Sequence, residues 1–166
     1  ALTWAYSGVP SGAKVTGSGN TKTFAWTPAF NQSGTYNVTF TVTDNGSPNL
    51  AATRTIRINV SNKNRAPILT NPGNKTVSEG KALSFTITGS DPDGNSLSYT
   101  TSGSPSGASL TGSGNHRTYT WTPSYTQAGT YNGKFTVTDN SSPRLSAAVT
   151  VRIVVTNVNR APVLSN

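Results

Sequence analysis

Apolar and polar residues alternate along much of this chain with a period of two. Leu83, Phe85 and Ile87 alternate with Ser84, Thr86 and Thr88, and Tyr36, Val38, Phe40 and Val42 with Asn37, Thr39 and Thr41. Ile56, Ile58 and Val60 alternate with Arg57 and Asn59, and Val149, Val151, Ile153 and Val155 repeat that pattern further along. Successive side chains of a strand point to opposite faces, so each run predicts a strand with one face in a core and the other in water. Thr and Ser fill most of the wet positions, which suits a strand without adding charge. Clusters such as Asp44-Asn45-Gly46-Ser47-Pro48 and Ser104-Pro105-Ser106-Gly107 predict the turns between strands. No window of 11 residues has apolar residues at helical spacing, which excludes helix beyond a single turn.

The pattern itself recurs. Displacing the chain by 95 residues sets 1–71 on 96–166 without a gap, and 42 of those 71 pairs are identical. Trp26 falls on Trp121, Tyr36 on Tyr131, Asp44 on Asp139, and Asn64-Arg65-Ala66-Pro67 on Asn159-Arg160-Ala161-Pro162. A period of this length is a small domain, not a solenoid turn. About seven short strands per period, separated by turns, predict an antiparallel β-sandwich of immunoglobulin-like type. Three segments are expected: 1–63, a sandwich lacking its N-terminal strands; 64–159, a complete one; and 160–166, the start of a next repeat or a strand passed to a neighbour. With no Cys there is no inter-sheet disulfide, and Trp26 or Trp121 with Phe40 or Phe135 is expected to fill the centre.

Composition narrows the function classes. Thr, Ser and Asn supply 65 of the 166 residues and charged residues only 11%, against about 25% in an ordinary domain. The surface is therefore built of hydroxyls and amides. Absence of Cys removes thiol catalysis and thiolate metal sites. No apolar run approaches the roughly 18 residues of a membrane span, and no signal-peptide pattern opens the chain. Without an initial Met, the chain reads as a processed or excised piece. The formal charge is +8, yet the thirteen basic residues are scattered singly from Lys14 to Arg160. That dispersal argues against a nucleic-acid partner. The single His, His116, stands where the first copy has Thr21. Asp91 and Asp93 are two apart on one loop, not facing across a cleft, and no nucleophile elbow is present. Enzymatic activity is not expected.

One set of motifs runs through the whole chain. It comprises Asn64-Arg65-Ala66-Pro67-Ile68-Leu69, Ser78-Glu79-Gly80, Asp91-Pro92-Asp93-Gly94-Asn95-Ser96-Leu97-Ser98-Tyr99, Trp121-Thr122-Pro123, Gly129-Thr130-Tyr131 and Val137-Thr138-Asp139-Asn140. In order and spacing it resembles the immunoglobulin-like, cadherin-like tandem repeats of large bacterial and archaeal surface proteins. The resemblance implies an all-β chain of tandem immunoglobulin-like (cadherin-like) sandwiches. It also implies an extracellular or cell-surface location and a structural or adhesive role as a stalk or fibre element.

It further implies a possible cofactor. All five acids, Asp44, Glu79, Asp91, Asp93 and Asp139, stand where a cadherin-like repeat keeps a calcium ligand. Asp91, Asp93 and Asp139 beside Asn64 would hold Ca2+ at the joint between domains, with Glu79 and Asp44 belonging to adjacent joints. The sequence departs from that family pattern at Ser61-Asn62-Lys63-Asn64-Arg65 and Thr156-Asn157-Val158-Asn159-Arg160, where the linker carboxylates are missing. A second acid pair, expected before Gly129, is missing too. Two other roles stay open for these acids. Arg65 can pair with Asp91 or Asp139 in place of a metal, and the acids can serve as turn formers.

Expected partners are neighbouring repeats, copies of the same chain, surface glycans or other cells. Glycan stacking would use Trp4, Tyr6, Tyr99 and Tyr125. However, Trp4 and Tyr6 share one strand face and Trp4 aligns with Tyr99, so core packing is the favoured reading of those rings. Tyr125 and its counterpart Phe30 are expected to plug a sandwich end. If the chain were a whole subunit, the missing strands of the first sandwich would leave edges open to a neighbour. Strand addition would then build a head-to-tail filament. The alternative is a window on a longer array within one polypeptide.

Overall fold

The alternating runs form strands in the computed structural model, which describes residues 1–164. Ser165 and Asn166, the end of the 160–166 segment, lie outside the described residues. The strands are β1 (Thr3–Ser7), β2 (Lys14–Thr16), β3 (Thr23–Ala25), β4 (Gly34–Thr43) and β5 (Ala51–Val60), followed by β6 (Ile68–Thr70), β7 (Lys75–Ser78), β8 (Leu83–Ser90) and β9 (Leu97–Ser102). The last four are β10 (Ser109–Thr111), β11 (His116–Trp121), β12 (Gly129–Asp139) and β13 (Ser146–Thr156). No helix occurs among the described residues. The chain divides into two compact units, Ala1–Lys63 and the part beginning at Asn64.

The second unit is a sandwich of two four-stranded sheets, β10-β11-β8-β6 and β7-β13-β12-β9. Pairing is antiparallel except between β7 and β13, which run parallel from Ile153↔Lys75 to Thr156↔Ser78. The exception follows from Asn71-Pro72-Gly73-Asn74 after β6. Proline donates nothing to a ladder, and the chain crosses here to the other sheet without reversing.

Between the sheets Ile87, Tyr119, Phe135, Val137, Val151 and Ile153 are buried. Their burial contributes about 1.5–3 kcal/mol per large side chain. Tyr119 meets Phe135 edge-on at 5.3 Å between ring centres, and Phe85 packs on both, at 4.9 and 5.9 Å. Trp121 is also buried, but its ring partner is Tyr131 at 5.0 Å. Trp121 and Phe135 both belong to the core, as expected, and Tyr119 joins them there with Phe85 packed against it, because the β11–β8 register sets Tyr119 opposite Phe85.

In the first unit β1, β4 and β5 form one sheet and β2 and β3 a two-stranded ribbon. These five strands correspond to β9–β13, and the unit has no counterpart of β6, β7 or β8. The effect on β3 is direct. Its counterpart β11 is held by β8 through six residue pairs, from His116↔Thr88 to Trp121↔Leu83. With no such neighbour, β3 keeps three paired residues, Thr23, Phe24 and Ala25. Trp26 still meets Tyr36, at 4.8 Å, as Trp121 meets Tyr131. One backbone feature is common to both units: Gly8 and Gly103 have φ of +69°, and a Cβ on either would collide with the carbonyl of Asn37 or Asn132.

Candidate functional site

The polar residues singled out by the sequence gather at the end of the second unit where the chain enters. Between β8 and β9 the Asp91 Oδ1 accepts the N–H groups of Asp93 (2.8 Å) and Asn95 (3.1 Å), which closes an Asx turn. Gly94 adopts φ +76° there and donates its N–H to the Asp91 carbonyl at 3.2 Å. Between β12 and β13 the Asp139 Oδ1 accepts the N–H groups of Ser141 and Leu145, both at 3.1 Å. Asp44 does the same in the first unit, its Oδ1 accepting from Gly46 and Leu50 at 3.0 Å. Those two N–H donors, Leu50 first, hold the Asp44 carboxyl below its ordinary pKa.

Two consecutive residues tie the turns of the second unit together. Asn64 Nδ2 donates to Asp139 Oδ2 at 2.9 Å and to the Pro143 carbonyl at 3.0 Å, while its Oδ1 accepts from Asn95 Nδ2 at 3.1 Å. Arg65 grips both oxygens of Asp93. Its backbone N–H donates to Oδ2 at 2.7 Å and its Nε to Oδ1 at 2.8 Å, with Nη2 2.6 Å from Oδ1 and donating to the Pro92 carbonyl at 2.5 Å. The Arg65 hydrogen bond is the main cause of a lowered Asp93 pKa. Asp139 is 2% exposed. Burial pushes its carboxyl up, but hydrogen bonds from Asn64, Leu145 and Ser141, with the charge of Arg144, outweigh that and leave it lowered. Of the oxygens in this cluster, Asp91 Oδ2 is buried without a hydrogen-bond partner.

Asp91, Asp93, Asp139 and Asn64 therefore share one end of the sandwich, with contacts that differ from the expected ones. Arg65 takes Asp93, not Asp91 or Asp139, because the β8–β9 turn presents both Asp93 oxygens to it. Calcium takes 6 to 8 oxygens. Here Asp139 already accepts three N–H donors, Asp91 Oδ1 accepts two, and a guanidinium faces Asp93. Among the described residues no group of three or more His, Cys, Asp or Glu is placed to hold a metal ion. The residues present do not fit calcium.

Glu79 lies at the opposite end, 2% exposed. Its Oε1 accepts the Ala128 N–H at 3.1 Å and its Oε2 the Val158 N–H at 2.9 Å. Its own N–H donates to the Thr156 carbonyl at 3.1 Å. It fastens the loop before β12 to the segment leaving β13, a role that Ser78-Glu79-Gly80 does not reveal because both partners are remote backbone.

Tyr125 and Phe30 are not buried plugs, being 44% and 53% exposed. Each lies in a loop after a Thr-Pro pair, and the Tyr125 ring lies close to Gly80. The Arg160 guanidinium lies over the Tyr125 ring at 4.3 Å, and that of Arg117 over Tyr99 at 4.5 Å. The Tyr99 hydroxyl donates to the Asn115 carbonyl at 2.8 Å. Trp4 lines an open apolar groove on the first unit with Phe24, Phe40, Val42 and Ile56, and Tyr6 is edge-on to Phe40 at 6.0 Å. Sequence alternation placed these residues on a core face, and the expected lack of the first sandwich's N-terminal strands agrees with that face being open.

Residues 64–153 match the family model of the bacterial Ig domain. The chain belongs to the bacterial Ig domain family. Among solved structures, this bacterial Ig chain is similar to the extracellular cadherin domains 1–5 of protocadherin gamma B2, at 22% identity and a TM-score of 0.60 over 96% of this chain and 34% of that one. It is similar to human CDH23 EC21-23 at 23% identity, TM-score 0.50, over 74% and 47% of the two chains. It is also similar to an endo-fucoidan hydrolase from glycoside hydrolase family 107, at 20% identity and TM-score 0.50 over 95% and 24%. At these identities the likeness shows the fold, and the chain spans about a quarter to a half of those proteins. No curated protein matches it. Bacterial Ig domains are usually extracellular or on the cell surface, and the fold is typically non-enzymatic. No helix among the described residues is long and apolar enough to cross a membrane.

Proposed function

We propose that this bacterial Ig chain is a non-enzymatic, extracellular structural module, a stalk or fibre segment whose tandem sandwiches bear tension. The observation that carries the reading is the parallel pairing of β7 with β13. Ahead of β7 the chain is held to the second unit by the three residues of β6 and by the Asn64 and Arg65 contacts with the end turns, and it leaves after β13. Tension drawn through the chain therefore slides β7 past β13 and loads their four residue pairs together, instead of opening one hydrogen bond at a time. Glu79 supports the same reading, since its two acceptor bonds tether the segment that follows β13.

The test is to hold the chain by its ends and record unfolding forces, comparing Val77→Pro with the parent chain. Proline takes an N–H from β7 and locks its backbone. The second unit is expected to unfold at a clearly lower force while the first unit's event stays where it was. Equal forces for the two proteins would remove the load-bearing reading.

A second reading, a filament in which copies associate by strand addition, is favoured by the open groove of Trp4, Phe24, Phe40, Val42 and Ile56. No comparable observation favours a carbohydrate-binding role, because guanidinium groups lie over the rings of Tyr99 and Tyr125.

A further inference from the structure

We propose that Arg65 supplies the cation at the end of the second unit where the chain enters, so that this end is fastened by a guanidinium and is indifferent to calcium. The inference deepens the stalk reading and rests on it only for its purpose. Two turns must be held there, Asp91–Ser96 between β8 and β9 and Asp139–Leu145 where β12 passes to β13. Each carries a carboxylate turned towards the incoming chain. In a repeat held by metal, one ion answers several carboxylate oxygens at once. Here two side chains divide that work.

The guanidinium of Arg65 reaches Asp93 Oδ1 through Nε and Nη2, while its backbone N–H occupies Oδ2 and Nη2 also reaches the Pro92 carbonyl. A planar fork meeting a carboxylate in this way is a strong charge-assisted contact that lysine cannot reproduce. The amide of Asn64 bridges the turns, donating to Asp139 and accepting from Asn95. A divalent ion brought to Asp93 would stand against the guanidinium 2.6 Å from its Oδ1 and would have to displace it. The same dipeptide recurs 95 residues on as Asn159-Arg160, where the arginine lies over Tyr125.

The experiment uses the full 166-residue chain and calcium chloride as the probe, raised to about 10 mM, well above the dissociation constants of weak extracellular calcium modules, and then removed with chelator. The expected result is that the amide resonances of Asp91, Asp93, Asn95 and Ser141 do not move and the melting midpoint stays put. Arg65→Ser is expected to lower the midpoint by several degrees, Arg65→Lys to recover only part of that, and Arg65→Ser with Asp93→Asn to lose less than the two single changes added. Calcium-dependent movement of those resonances, or a higher midpoint with calcium, overturns the proposal. So does an Arg65→Ser protein that melts with the parent. If Arg65→Ser fails to fold, the titration of the parent chain still decides. Either outcome leaves the force measurement on Val77→Pro independent, so failure here and failure of the stalk reading are distinguishable.

Discussion

Two aspartates 95 residues apart illustrate how partners decide what a residue does. Asp44 and Asp139 sit at the end of equivalent strands, and the Oδ1 of each caps two N–H groups of its hairpin. Asp139 has one duty more, since its Oδ2 receives the amide of Asn64. Sequence located both acids and allowed their turn role from Asp-Asn followed by Ser-Pro, but the second duty comes from a residue 75 positions away. Glu79 is the clearest case of a residue whose chemistry the sequence could not assign. Its carboxylate accepts from two different backbone segments, so both oxygens must be acceptors. Glu79→Gln would turn a donor towards the Ala128 or Val158 N–H and leave it unpartnered in a buried place. The expected cost is about 1–3 kcal/mol for the second unit, read from chemical denaturation. A variant as stable as its parent would mean that water or a shifted backbone satisfies that N–H.

At the scale of elements, β3 and β11 have closely related sequences, Thr21-Lys22-Thr23-Phe24-Ala25-Trp26 and His116-Arg117-Thr118-Tyr119-Thr120-Trp121. Only the second forms a strand over all six positions. The difference lies in β8, which pairs with β11 along its length and packs Phe85 and Ile87 beneath it. Because β3 has a neighbour on one side only, its amides should exchange with solvent much faster than those of Thr118–Thr120, by on the order of 100-fold or more. Residue-resolved hydrogen exchange measures this, and equal protection in the two strands would show that β3 has a partner not accounted for by β2. Alternation made most of the strands legible, since an inward residue at every second place is a local property. The parallel course of β7 was not legible, because it depends on which sheet the chain joins after Pro72 and Gly73.

At the scale of the whole molecule, the open groove of the first unit bears on the filament reading. Ile56 is 49% exposed, whereas its counterpart Val151 is buried at 0%. Exposed apolar faces of this kind favour contact with another surface. If copies add strands to one another, sedimentation velocity should report a mean mass that climbs with concentration, and Ile56→Lys should abolish the climb without unfolding the second unit. A chain that stays monomeric at every concentration would sink the filament reading and leave the stalk reading untouched.

The sequence by itself determined the all-β class, the 95-residue repeat, the inward residues of most strands and the positions of all five acids. Those properties are set by side-chain alternation, turn chemistry and identity between copies, and each can be read within a few residues or by sliding the chain on itself. Tertiary structure decided which carboxylate the arginine takes, what Glu79 fastens, that Tyr119 joins Trp121 and Phe135 in the core, and that β7 lies parallel to β13. The physical reason is common to all of these. A hydrogen bond, an ion pair or a buried ring needs a partner brought in from elsewhere in the chain, and no local pattern says which segment that will be.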